Sequence, residues 1–156
     1  MDRNQFMRAA IALAEKNVAE GTGGPFGAVI VRNGEIIGEG TNRVTSANDP
    51  TAHAEVVAIR NACEKLGTYN LAGCEVYTSC EPCPMCLSAI YWARLDRIFY
   101  GNTKADAAEI DFDDAFLYTE IPKPISERTI PTKQILHDES IKAFRAWAVS
   151  EDKIPY

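Results

Sequence analysis

No apolar stretch in this chain of 156 residues approaches the roughly 20 residues that a membrane-spanning helix needs. The first residues, Met1-Asp2-Arg3-Asn4-Gln5, lack the basic-then-apolar order of a secretory leader. Positive charge is scarce as well: 16 Lys and Arg stand against 22 Asp and Glu, a formal charge of −6. Proteins that grip phosphate chains present a basic patch, and none is visible, so neither nucleic acid nor a membrane is an expected partner. Cysteine is present but does not pair up. There are five, and Cys80, Cys83 and Cys86 fall in one short stretch. An odd number clustered in this way argues against a disulfide frame and for thiols or metal in a reducing cytoplasm. No internal repeat, low-complexity tract or linker interrupts the chain, so a single domain over 1–156 is expected.

Two short stretches carry chemistry. The first is Pro50-Thr51-Ala52-His53-Ala54-Glu55, and the second is Cys80-Glu81-Pro82-Cys83-Pro84-Met85-Cys86. One imidazole and two thiolates, from His53, Cys83 and Cys86, make three good zinc ligands. Closed structural zinc sites use four protein ligands, whereas catalytic ones use three and leave a place for water. A metal held in this way lowers the pKa of water toward neutrality, and Glu55 is close enough in sequence to carry the proton without being a ligand.

Local patterning supports that grouping. Val56, Ile59, Cys63 and Leu66 recur at helical spacing and Gly67 is a natural stop, which puts His53 and Glu55 in a first helical turn. Pro84 suits the first turn of a second helix over 84–93, with Cys83 and Cys86 facing the same way at its start. Strands are expected over 26–31, 35–42, 74–79 and 97–101, with Asn33-Gly34 as a hairpin turn. The strand–helix–strand order around the cysteines implies a parallel crossover, and ligand sites in such sheets lie beyond the carboxyl ends of strands. A first helix is expected over 2–20 and a last one over 141–150. Residues 132–136 read as a fifth strand, and 111–118 as a short helix or folded loop.

Other readings of the cysteines stand beside this one. A lone C-x-x-C can be a redox pair. An iron–sulfur run would want another cysteine where Ile90 stands. A closed zinc site could take Cys63, Cys74 or Cys80 as its fourth ligand, but Glu55 would then have no task. Otherwise these three are small buried apolar residues.

His-x-Glu followed by Pro-Cys-x-x-Cys is the ligand-and-shuttle pattern of zinc nucleobase deaminases, and the chain resembles the cytidine deaminase-like superfamily. Further stretches are similar to the small bacterial guanine deaminases within it. These are Gly23-Gly24-Pro25-Phe26-Gly27-Ala28, Thr41-Asn42, Asn48 to Glu55, Tyr77 to Cys86, Ile90 to Arg94, Phe112-Asp113-Asp114 and Tyr156. The resemblance implies an α/β fold, a three-layer α/β/α sandwich around a mixed five-stranded sheet. It also implies one zinc per subunit and a homodimer, with the C-terminal segment (137–156) able to cross to the partner and help close its site.

The expected reaction is hydrolysis of guanine to xanthine and ammonia. Guanine offers N1–H and a 2-amino group side by side, and a carboxylate accepts both at charge-assisted strength. Adenine and cytosine would set an acceptor nitrogen against that carboxylate, a mismatch costing roughly 1–3 kcal/mol. Asp114 is the candidate, weighed against a surface aspartate in the acidic run 105–120. Asn42 can read a heterocycle edge or can cap a turn, and Phe26 can stack on a base or fill the core. The family suggests Trp92 and Tyr156 as aromatic walls, against a core Trp and a frayed terminus. With Ala54, these six form the expected substrate contacts, while Glu55 and Asp114 are the expected catalytic pair. A deaminase of guanosine, cytosine or a pterin, a tRNA adenosine deaminase and a non-catalytic zinc module remain alternatives.

Overall fold

The computed structural model describes residues 2–156. In chain order it comprises helix α1 (Arg3–Glu20), strands β1 (Gly27–Arg32) and β2 (Glu35–Thr41), a short helix α2 (Val44–Ala47), helix α3 (Ala54–Leu66), strand β3 (Cys74–Cys80), helix α4 (Pro84–Trp92) and strand β4 (Arg97–Asn102). Helices α5 (Lys104–Ala108), α6 (Ala115–Glu120) and α7 (His137–Val149) follow, with one 3-10 turn at Ile125–Glu127. Two compact units are present, one reaching Asp114 and the other Ala115–Tyr156. Among the described residues, no helix is long and apolar enough to cross a membrane.

The sheet runs β2-β1-β3-β4. β1 pairs antiparallel with both neighbours, and β3 pairs parallel with β4 across the α4 crossover, as strand–helix–strand order requires. Asn33 and Gly34 both take positive φ (50° and 80°), the turn geometry that matches the twist of a two-residue hairpin. Side chains alternate along β1. Ala28 and Ile30 join Ala54, Ala58, Ala62, Val76 and Ile90 in one core layer, while Val29 and Val31 join Phe6 and Tyr77 in the other. Helices α3 and α4 therefore cover one face and α1 the other, giving three layers.

Small residues bring α3 down onto β2. A Cβ on Gly40 would lie 2.1 Å from the Ala54 carbonyl oxygen and 2.5 Å from the Ala58 nitrogen. One on Gly38 would lie 2.5 Å from the Ala58 oxygen. Ala54, Ala58 and Ala62 themselves have no exposed surface. Helix backbone thus rests on strand backbone, and the start of α3 is set by the sheet.

The sheet has four strands, and the expected fifth over 132–136 does not form. Strand preference depends on having a partner and a face to bury, and this run has neither. It has no regular structure, Ile135 is 70 % exposed, and Leu136 turns into the left-handed region (φ 52°) to begin α7. The last helix accordingly starts at His137 instead of 141. The 111–118 stretch, expected as a short helix or folded loop, is divided: 111–114 is non-helical and α6 begins at Ala115.

Candidate functional site

All the elements that bear on the site begin or finish at one end of the sheet. β1 begins where β3 ends, because the two are antiparallel and the Gly27 N–H donates to Ser79 Oγ at 3.0 Å. β2 ends opposite β1, with Asn42 N–H on the Phe26 carbonyl at 3.2 Å. The following loop turns back so that Arg43 N–H meets the Ala52 carbonyl at 2.9 Å. Asp49 braces it, accepting from Thr51 N–H at 2.9 Å and from the Thr51 hydroxyl at 2.6 Å. His53 is thereby delivered as the residue that caps α3, and Cys83 caps α4 with Pro84 in its first turn. The His53 side chain makes no capping hydrogen bond to α3, and the Cys83 sulfur faces Cys86 and His53.

Those side chains converge. His53 Nδ1 lies 3.6 Å from Cys83 Sγ and 3.6 Å from Cys86 Sγ, and the three ligand atoms fall within 4.8 Å of one another. A tetrahedral ion at zinc bond lengths separates a nitrogen from a sulfur ligand by about 3.6 Å, so the donor set fits zinc without rearrangement. No further Cys, His, Asp or Glu belongs to this cluster among the described residues.

The protonation pattern also suits a metal. The Cys83 thiol is held far below its ordinary value by hydrogen bonds from Cys86 and His53. Cys86, giving that bond and buried, is pushed up. His53 is raised by its contact with Cys83. One thiolate is thus already favoured, and one thiol proton remains for a metal to displace, as binding to cysteine requires.

Glu55 lies in the first turn of α3, nearly buried at 6 % exposure. Burial raises its pKa, and hydrogen bonds from its own backbone N–H, from Cys86 and from Thr78 partly offset this. The Thr78 hydroxyl lies 3.2 Å from Glu55 Oε1 and 3.0 Å from the Cys80 carbonyl oxygen. With a single proton, it can donate to Glu55 when the carboxylate is ionised and to Cys80 when it is not. A carboxyl raised by burial among hydrogen-bond partners is what general acid–base work needs. Ala54 is wholly buried, and its backbone N–H is one of the first-turn amides that a helix leaves without an internal partner.

The remaining expected contacts are placed unevenly. Asn42 is buried at the end of β2, and its Oδ1 faces the N–H groups of Gly24 and Val44. Phe26 meets Phe112 edge-on, with ring centroids 5.0 Å apart, which ties the 112–114 turn to the glycine-rich loop. Asp114 is half-buried and its pKa is raised, by burial first and then by the nearby Cys83 charge, so its carboxyl stands within electrostatic reach of the cluster. Trp92 instead lies 63 % exposed at the end of α4. It lines a surface hollow with Leu87, Ser88, Tyr91 and Arg94. Tyr156 ends the second unit and is exposed.

Cys63 and Cys74 pack in or against the core layer beneath α3. The Cys80 thiol, pushed up to about 11 by burial, points at the Thr103 carbonyl. Thr78 was not foreseen from sequence. Its signal was a hydroxyl in an apolar strand directly before the cysteine motif. A polar cavity of about 470 Å3 lies at the opposite end of the sheet, lined by Arg3, Asn33, Glu75 and Arg97 among others, and contains none of these groups.

Residues 1–102 match the model of the cytidine and deoxycytidylate deaminase zinc-binding region. The chain is 56 % identical to the guanine deaminase of Bacillus subtilis over 156 residues, which is all of both chains. The crystal structure of that enzyme superposes with a TM-score of 0.97, covering 100 % of this chain and 99 % of the other. A tRNA-specific adenosine deaminase from Agrobacterium fabrum is 44 % identical over 110 residues, covering 69 % of this chain and 72 % of its own. The structure of a guanine deaminase from Nitrosomonas europaea gives a TM-score of 0.69 at 32 % identity, covering 80 % of this chain and 69 % of that one.

Proposed function

We infer the chemistry from one premise: the chain belongs to the cytidine and deoxycytidylate deaminase zinc-binding family. Its reaction is the hydrolytic deamination of guanine to xanthine and ammonia, with zinc as cofactor. The observation that carries the choice of guanine is extent. Likeness to a guanine deaminase runs through the whole chain, whereas likeness to the tRNA-specific enzyme covers 69 % of it.

The proposed assignment of roles follows from the side chains. His53 Nδ1 and the sulfurs of Cys83 and Cys86 hold one zinc per subunit. When bound, that ion supplies the Lewis acid that makes water acidic at neutral pH. Glu55 takes a proton from the attacking water and delivers it to ring N3 as C2 is attacked. It then takes the remaining proton from the C2 hydroxyl, which becomes the carbonyl of xanthine, and passes it to the 2-amino group, which leaves as ammonia, assisted by Asp114. The raised pKa of Glu55 supports this role, because the group must both take and give a proton. Asp114 reads the N1–H and 2-amino edge, Asn42 reads an acceptor on the base, Phe26 and Trp92 bound it, and the Ala54 N–H offers a donor.

The protein is further proposed to act in the cytoplasm as a homodimer, without nucleic acid, and as one deaminase domain whose 137–156 segment exchanges between subunits. Exposed apolar side chains on α7 support the exchange, Phe144 at 75 % and Val149 at 82 %. Tyr156 would then serve the partner's site.

Purified, zinc-loaded protein should release xanthine from guanine and leave adenine and cytosine unchanged. A shift of tRNA in a gel, with inosine formed and guanine untouched, would replace the guanine reading with the tRNA one.

A further inference from the structure

Helix α1 contributes no ligand and no proton carrier, yet it sends one polar side chain toward the site. Asn17 follows Phe6, Ala10 and Ala14 on the buried face of the helix and is 3 % exposed. Its amide is fully engaged. The two Nδ2 hydrogens go to the carbonyl oxygens of Gly24, at 2.8 Å, and Asn42, at 2.9 Å, while Oδ1 accepts from the Thr22 hydroxyl. Carbonyl oxygens can only accept, so the amide has one orientation. A single side chain therefore joins the end of α1, the glycine turn and the end of β2. The approach is close enough that a Cβ on Gly23 would sit 2.1 Å from the Asn42 carbonyl oxygen and 3.1 Å from Asn17 Nδ2.

The consequence appears at Asn42. Its Oδ1 faces two backbone N–H groups, Gly24 at 3.4 Å and Val44 at 3.2 Å, which can only donate. The oxygen end of the amide is thus turned to the backbone, and Nδ2 is the end offered to a ligand. Asn17 holds by their carbonyls both Asn42 and Gly24, the residues between which one of these two contacts forms. We propose that Asn17 is a positioning residue for specificity: it keeps the Asn42 amide turned so that a donor, not an acceptor, meets the oxo oxygen or ring nitrogen of a purine. The proposal rests on the guanine reading above and adds to it a residue outside the contact set.

The test is a double-mutant cycle on kcat/KM for guanine, with zinc content and melting temperature measured on each protein. Asn17→Ala should raise KM about tenfold, the cost of one to two lost hydrogen bonds, with kcat within about threefold of wild type. In an Asn42→Ala background it should have little further effect, because its influence passes through Asn42. An unchanged KM in Asn17→Ala overturns the proposal, as does an equal loss with and without Asn42, which would mark a purely structural role. Should Asn17→Ala fail to fold, Thr22→Val decides by the same cycle: a KM rise of about threefold, from losing one hydrogen bond, supports it, and no rise overturns it. Wild-type protein that releases no xanthine overturns the guanine reading together with this one, whereas an active wild type with a normal Asn17→Ala KM overturns this one alone.

Discussion

The residues up to Asp114 and the residues Ala115–Tyr156 use apolar side chains in opposite ways. Among the described residues, every buried side chain lies in the first unit, between Phe6 and Ala93. The second unit is not short of apolar residues, but Ile130, Leu136, Phe144, Trp147 and Val149 are all exposed, and α7 has no buried position. A helix of that length gains little stability from propensity alone and depends on covering its apolar face. The contrast separates two tasks. Ligand atoms that must meet within a fraction of an ångström belong to the part whose packing over-determines them. The part with apolar faces still uncovered suits contact with something else, and exchange with a second copy would supply it.

The largest test falls on the rigid part. Glu55→Gln should lower guanine turnover by about 10³- to 10⁴-fold, the upper range for a lost general acid–base, while zinc content and melting temperature hold. A variant that keeps near-normal turnover would remove Glu55 from the chemistry. Next comes the uncovered part. If the proposed dimer forms through these faces, replacing Phe144 and Trp147 together by Asp in the full chain should convert it to monomer in sedimentation, each side chain costing about 2 kcal/mol or more at an interface. Turnover should fall with it, and zinc content should not. A dimer that survives would mean these faces do not form the subunit contact.

A smaller effect is expected at Thr78. Thr78→Val keeps the shape and removes the hydroxyl, so kcat should drop about tenfold for one lost hydrogen bond to a charged group, and Thr78→Ser should restore most of it. A normal kcat in Thr78→Val would mean that the hydroxyl does not matter, and an equal loss in both variants would mean that the site answers to any change of shape there. The smallest effect concerns pH and belongs to the second unit. Lys123 Nζ at 2.9 Å and the Thr129 N–H at 2.9 Å hold Glu120 down at about 2, from an ordinary 4.5. A carboxyl depressed on folding contributes stability above its unfolded pKa, and that contribution is lost as pH falls from 4.5 toward 2. Glu120→Gln should flatten this acid limb, followed by Trp147 fluorescence, and leave stability at pH 7 to 8 independent of pH. An unaltered acid limb would show that the ion pair is too solvated to matter.

Local rules make much of this molecule legible in its sequence. Asn33-Gly34 named its own hairpin, Pro84 its own helix start, and the spacing of His53, Glu55, Cys83 and Cys86 the cluster that the fold assembles. Long-range choices were hidden. Nothing in residues 132–136 says that no strand will pair with them, because pairing depends on an edge elsewhere. Thr78 and Asn17 are hard to pick out from sequence for a related reason. One polar residue in an apolar pattern looks like noise until its partners are known, although Asn17, on the buried face next in line after Ala14, was the place to look. Trp92, an aromatic in an apolar run, reads as core or wall, and its exposure sets the core reading aside.

The bare glycine–alanine seam under α3 also constrains how this scaffold can be altered. With main chain lying on main chain at Gly38 and Gly40, there is no cushion of side chains that could be trimmed or swollen to nudge residue 53 relative to residue 55. The sheet works as a fixed jig for the metal-facing end of that helix. Evolution or engineering toward a different base must therefore work through other parts, such as the 24–26 loop and the 112–114 turn, because the floor has no adjustable part.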